Sequence, residues 1–387
     1  MSTQLFVPEK ELVETLQAYV EPSSPLVSQV CPKIDNLTLI DGKTSLSTTT
    51  AGDIAPAGAP DVGFFYDDTR FLSHLELRVG GQPALVLSSS TEKSFVSQIE
   101  LTTGNISFRD APDLAENTIH IRREQLLDGE VLFDRFTFRN FNLKPVDLSV
   151  ELCFDADFGD VFQVRGARRK VHGQYYRPVK RDHYLAFFYR GLDGILRQTL
   201  IEMKPQPADL GDRNARWELT LAPLKPVQIE VTVTPLLDGG KSRANTRDFP
   251  ASLRERRHRF AKWQSHSTQF RSNHDIFDAA LNTAISDFHA LQIPDGNERI
   301  LAAGIPWFAT IFGRDAIIAA YQALSLNPQL AIDTLRVLAR YQGKECNDWR
   351  DEEPGKILHE YRQGEMTRSG ECPSVLTTDR STQLLCF

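Results

Sequence analysis

The sequence predicts a β-sandwich followed by an all-helical domain, and three observations carry that reading. Apolar residues recur with period two from about Asp35 to Pro235, turn clusters separate these runs, and after Asp238 the apolar spacing becomes helical. In the first part, Phe71, Leu75, Leu77 and Val79 fall on one side of a strand, with His74, Glu76 and Arg78 on the other. Leu148, Val150, Leu152 and Phe154 alternate with Asp147, Ser149 and Glu151, and Val227, Ile229, Val231 and Val233 alternate with polar neighbours. Successive side chains of a strand point to opposite faces, so this alternation marks half-buried antiparallel strands. Between them lie the turn signals Asp128-Gly129, Asn142 to Pro145 and Asp193-Gly194. Many such strands without helical runs between them predict two packed sheets.

In the second part, Asp248 to His266 reads as a charged helix. Ser272 with Asp275 resembles a capping box, and Ile276, Phe277, Ala280, Leu281, Ala284, Ile285, Phe288 and Leu291 follow at helical spacing. A second helix is expected from about Arg314 to Leu326. A third follows Asn327-Pro328, with Leu330, Ile332, Leu335, Leu338 and Ala339 inward and Gly343 as its C-cap.

Composition excludes several function classes. The 387 residues hold 44 Lys and Arg against 51 Asp and Glu, a net charge of −7, which argues against nucleic acid or an anionic membrane as partner. The dense basic run Arg254 to Arg259 reads as one solvated helix face. Five scattered cysteines without a CxxC pair support neither a disulfide framework nor a thiolate metal site. Met1 to Val20 carries Glu9, Glu11 and Glu14 in place of a basic start, so no secretory signal is expected and the cytoplasm is the default location.

Two motifs are set aside. Gly239-Gly240-Lys241-Ser242 ends like a phosphate loop, but Pro235 stands where the first glycine is needed, so a hairpin turn is the better reading. Asp155, Asp157 and Asp160 resemble the start of a calcium loop, yet Gly166 occupies the position of the bidentate glutamate, leaving a polar strand end.

The informative segments are GIPWFATIFGRD, Gly304 to Asp315, and PGKILHEYR, Pro354 to Arg362. The first delivers Arg314 and Asp315 to a helix start from a loop carrying Trp307 and Phe308. A sugar site needs such residues: an aromatic face for the apolar C–H surface, and a guanidinium beside a carboxylate for neighbouring hydroxyls. The bland alternative makes Trp307 and Phe312 core and Arg314-Asp315 an ion pair or cap. The second segment sets His359, Glu360 and Arg362 within four residues, and its bland alternative is a solvated helix start.

These segments resemble the bacterial amylo-α-1,6-glucosidase, or glycogen-debranching, family. GIPWFATIFGRDAIIAAYQAL looks like that family's entry into an (α/α)6 toroid, and GFFYDDTRFLSHLEL, RREQLLDGEVLFDRFTFRN and DADFGDVFQVRG resemble its N-terminal sandwich. The resemblance implies a multidomain β plus α protein: an extension at 1–34, a debranching-type sandwich at 35–240, a linker helix at 241–272, and the first helices of an (α/α)6 glycosidase domain at 273–373. It also implies an α-glucan or oligosaccharide partner and cofactor-free, metal-free inverting hydrolysis. Trp307, Phe308, Arg314, Asp315, His359, Glu360 and Arg362 would line the pocket for the terminal glucose. Alternative readings are a non-catalytic carbohydrate-binding sandwich and a glycosidase for another α-linked glycoside.

The family's pattern is lost after about Cys372. Inversion needs two carboxyl groups about 6.5–9.5 Å apart, and Glu353, Glu360, Glu365 and Glu371 carry no signal that singles out an acid or a base. The run Leu376 to Cys386 can be encoded by codons that, read two bases later, give YYGSIDATPL, the motif the family would carry next. A frame shift producing an aberrant tail at 374–387 is therefore expected, with the catalytic pair absent and the apolar faces of the helices short of partners. The nucleotide sequence tests this: without that motif and further toroid helices in a shifted frame, the idea fails.

Overall fold

The computed structural model describes residues 16, 18–19, 36–54, 62–107, 113–238, 247–373 and 375–377. The extension at 1–34 therefore falls almost wholly outside the described residues, as do Gly239 to Ser242 and most of the tail.

The first part is a sandwich of antiparallel sheets. One has nine strands, in spatial order Ala18–Tyr19, Gln174–Arg181, Tyr184–Arg190, Leu196–Lys204, Val227–Leu237, Val131–Asn140, Ile119–Asp128, Val96–Thr102 and Leu85–Glu92. Facing it is a five-stranded sheet built around Val146–Asp155, which lies between Asn214–Leu221 and His74–Val79. A four-stranded meander, Leu37–Asp41, Thr44–Thr48, Gly63–Tyr66 and Thr69–Leu72, adds Leu39, Leu46, Phe64, Phe71 and Leu72 to the core they share. The period-two residues behave as their spacing demands. Leu75, Leu77, Val79, Leu148, Val150, Leu152 and Phe154 share one core with Ile229, Val231 and Val233 of the opposite sheet. Each such side chain contributes about 1.5–3 kcal/mol on burial. Asp128-Gly129 turns the long hairpin, with Gly129 at φ +65°, a value that glycine adopts without strain.

Short helix α1 (Val161–Val164) is capped by Asp160. Helix α2 (Phe249–Ser265) is capped by Asp248 and lies on the outer face of the large sheet, where Phe249 and Phe260 pack with Phe95, Leu126 and Phe133. The basic run is not one solvated face. Arg256 is buried and bonds Asp41 at 2.6 Å, and Arg259 bonds Asp128, while Arg254 is exposed. Neighbours on a helix point about 100° apart, so a contiguous run cannot share one face.

Helices α3 (Asp275–Ala290), α4 (Gly313–Gln322), α5 (Pro328–Arg340) and the short α6 (Glu365–Arg368) follow. The second part is not all-helical, however. Gln292–Asp295 and Glu298–Leu301 form a hairpin, and Ile311–Phe312, Leu358–Tyr361 and Val375–Thr377 form a small sheet. The hairpin signal was present in Asp295-Gly296, with Gly296 at φ +63°. Three further expectations are corrected. His274, not Ser272, caps α3, its ring nitrogen accepting from the Phe277 amide. Ile332, Leu335 and Ala339 of α5 face outward, whereas Thr334 and Val337 are buried with Leu330 and Leu338. Gly343 is no C-cap: its amide bonds the Lys356 carbonyl, and a Cβ there would lie 2.4 Å from the Glu353 carbonyl oxygen. Along α3, Ile276 and Phe277 are exposed, and Ile285 is the buried member of the expected face. No described helix is long and apolar enough to cross a membrane.

Candidate functional site

The two informative segments meet by strand pairing. Ile311 pairs with Tyr361 and Phe312 with Glu360, so the Gly304–Asp315 loop runs beside the strand carrying His359 and Glu360. Gly313 permits the approach: a Cβ there would sit 2.0 Å from the Leu358 carbonyl oxygen. Helix α4 starts at that glycine and presents Arg314 and Asp315 in its first turn. The bland alternative of a solvated helix start at His359 does not hold, since Leu358–Tyr361 is a strand.

Phe312 is buried and organises the aromatic residues. Phe308 meets it edge-on at 5.8 Å between centroids, and the His359 ring does so at 5.8 Å from another side. Phe308 is 41% exposed, with the Arg165 guanidinium over its ring at 5.4 Å. Trp307 is half-buried and packs edge-on to Phe65 of the sandwich. Arg314 and Asp315 form an ion pair at 3.6 Å with side chains 48% and 39% exposed, a geometry that adds little stability. A guanidinium and a carboxylate thereby stand open to solvent in the helix turn that follows the buried Phe312.

Arg362 occupies a different place. Its side chain is 1% exposed, and its nitrogens bond Asp68 at 2.8 Å, the Trp307 carbonyl at 2.8 Å and Glu360 at 3.1 Å. The Phe162 and Phe312 rings flank it at 5.5 and 5.6 Å. Asp68 was not singled out in the sequence. Its one available signal, a two-residue Asp67-Asp68 turn between apolar runs, announces a hairpin but not a partner 294 positions away.

The carboxylates beyond Arg362 are engaged. Glu365 is buried, accepting from Tyr189 at 3.2 Å and the Leu192 amide at 2.8 Å and pairing with Arg169 at 3.1 Å. Glu371 bonds Arg169, which holds its carboxyl below the usual range. Glu353 pairs with Lys356 at 2.9 Å. Asp160 accepts from Phe162 and Met366 amides, and burial pushes its carboxyl up to about 6. Asp155 and Asp157 pair separately with Arg213 and Arg70, so each of the three aspartates of the calcium-like run has its own protein partner. Among the described residues no cluster of three metal-ligating side chains occurs. A cavity of about 400 Å³ lies away from these residues, between α3 and Leu326, with Phe277, Leu281 and Phe288 in its wall. Its wall is mostly apolar, with Arg271, Gln322 and Ser325 as its polar members and no carboxylate, so the aromatic and charged cluster is the stronger candidate.

Comparison with known proteins agrees with this architecture. Residues 39–232 match the family model described as the N-terminal domain of (some) glycogen debranching enzymes. A search of curated proteins finds no match. Among solved structures, a chain assigned as a kojibiose phosphorylase from the human microbiome matches with TM-score 0.56 and 13% identity, over 80% of this chain and 47% of that one. A bacterial glucoamylase complexed with acarbose matches with TM-score 0.48 and 11% identity, over 88% of this chain and 56% of that one. The chain thus spans about half the length of either structure. The first likeness shows the fold: an antiparallel sandwich followed by the opening helices of an (α/α)6 toroid.

Proposed function

The chain belongs to the family of N-terminal domains of (some) glycogen debranching enzymes, and from that premise we propose that it serves amylo-α-1,6-glucosidase-type debranching by holding the terminal glucose of an α-glucan. One observation carries the reading. The pairing of Phe312 with Glu360 sets the Arg314-Asp315 helix start beside His359 and Glu360, next to the exposed Phe308. Phe308 and Trp307 offer apolar surface to a sugar face, and Arg314 and Asp315 offer donor and acceptor to adjacent hydroxyls. Inverting hydrolysis of such a linkage requires one carboxyl to protonate the leaving oxygen and a second to activate water.

This chain alone binds without hydrolysing. Support comes from the four glutamates in the region, each of which is held by an Arg or Lys: Glu353 by Lys356, Glu360 by Arg362, and Glu365 and Glu371 by Arg169. Glu365, being 1% exposed, is out of a substrate's reach. The test has two arms. The 387-residue chain should be retarded by glycogen in affinity electrophoresis, with Arg314→Ala and Trp307→Ala each weakening retardation about tenfold, the equivalent of one ion-assisted hydrogen bond or stacking contact. It should release no glucose from a branched limit dextrin, and robust turnover would overturn the non-hydrolytic reading. Unchanged retardation of both variants would place binding on the sandwich and favour a carbohydrate-binding module. A second reading keeps the site but takes another α-linked glycoside, supported by the fold likeness to the assigned kojibiose phosphorylase. Stronger binding of such a disaccharide than of maltooligosaccharides would favour it.

A further inference from the structure

We propose that Asp68, a residue of the sandwich, is a positioning residue for the sugar-facing segments of the helical part. The inference rests on the glucan-binding reading above and adds to it a role for the first domain. Asp68 uses both carboxylate oxygens on one stretch of the second part: Oδ1 accepts from Arg362 Nη1 at 2.8 Å and Oδ2 from the Gln363 amide at 2.8 Å. Arg362 relays that hold in two directions, to Glu360 Oε2 at 3.1 Å and to the Trp307 carbonyl at 2.8 Å. One buried guanidinium therefore ties the aromatic loop to the strand carrying His359 and Glu360, and one of its two carboxylate partners comes from the other domain.

The environment makes the link stiff. The Asp68 and Arg362 side chains are 8% and 1% exposed, so solvent does not compete for their charges. A second contact lies beside it: the Asp68 carbonyl accepts from the Val161 amide within the sandwich, and the adjacent Asp160 carboxylate accepts from the Met366 amide of the second part. Gly364 lies so close that a Cβ would sit 2.2 Å from Asp160 Oδ2. Asp67 and Asp68 occupy the two central positions of a hairpin turn at φ +45° and +62°. Asparagine accepts that backbone region as readily as aspartate does. Asp68→Asn consequently removes the charge and keeps the turn.

The full chain labelled with 5-fluorotryptophan supplies a readout that needs no ligand. The Trp307 fluorine signal is assigned with Trp307→Phe, and Trp217, Trp263 and Trp349 serve as internal references. In Asp68→Asn the Trp307 signal should shift or broaden while the other three hold, and maltooligosaccharide affinity should fall about tenfold, the loss of one charge-assisted hydrogen bond. Asp67→Asn in the same turn, where Asp67 pairs with Lys43 at 3.0 Å, should leave Trp307 in place. An unmoved Trp307 signal in Asp68→Asn overturns the proposal, and so does a shift of all four signals together, which marks a purely structural residue. If the wild type binds no glucan yet Trp307 alone moves, the glucan reading fails and the positioning link stands.

Discussion

At the residue scale, Asp160 combines the roles of helix cap and inter-part anchor, and its chemistry makes that anchor depend on pH. Burial pushes its carboxyl up to about 6 from an ordinary value near 3.8, with Asp68 adding to the rise and Arg169 and two amides opposing it. A folded-state pKa above the unfolded one means that the folded protein holds the proton more tightly. The stabilisation is therefore complete below about pH 4 and is lost as pH rises through about 6. A shift of about two units corresponds to roughly 3 kcal/mol at most. Urea midpoints of wild type and Asp160→Asn, measured from pH 4 to 7, should separate, the wild type losing stability relative to the variant. Parallel curves would contradict the assignment. None of this was legible in the run Asp155 to Asp160, because the partner of Asp160 is the amide of Met366, more than 200 positions away.

At the element scale, α2 shows how a helix distributes a charged run. Arg256 points at the sandwich, bonded to Asp41 at 2.6 Å with its guanidinium 4.8 Å from the Phe95 centroid, while Arg254 stands in solvent. Arg256→Ala should cost about 3 kcal/mol because it leaves the partly buried Asp41 short of its main counter-ion. Arg254→Ala should change stability by less than about 0.5 kcal/mol. Thermal unfolding of the two variants side by side checks the orientation, and equal losses would refute it. The helix itself was readable from Asp248 and the run that follows. Its buried face was not, since the period is too weakly apolar to choose among Phe249, Ser252, Arg256 and Phe260, which the sheet selects. The hairpin at Gln292–Leu301 failed in the opposite way. Its turn signal lay between helical runs, and the surrounding period overrode it.

At the scale of the whole molecule, the apolar residues divide into two populations. Those of the sandwich fill a large core between the sheets and a smaller cluster under α2. Those of the helical part supply a smaller core around Ile293, Ile300, Val337 and Leu338, and leave Ile276 77%, Phe277 58%, Tyr321 74% and Leu335 57% exposed. Exposed apolar surface of this kind favours association. Sedimentation velocity should show concentration-dependent association of the chain, reduced by Ile276→Glu with Phe277→Glu, and a wild type monomeric at all concentrations would count against it. By itself the sequence determined the period-two strands, the turns at Asp128-Gly129 and Asp193-Gly194, the passage to helices after Asp238, and the residues GIPWFATIFGRD and HEYR as candidates, because these depend on neighbours within a few positions. Only the tertiary structure decided that Phe312 pairs with Glu360, that Arg362 is held by Asp68 of the sandwich, and that Glu365 is buried against Tyr189. Those contacts join segments 48, 294 and 176 positions apart. The first is set by packing within the second part and the other two by how the parts pack together, and no local pattern of charge or hydrophobicity encodes them.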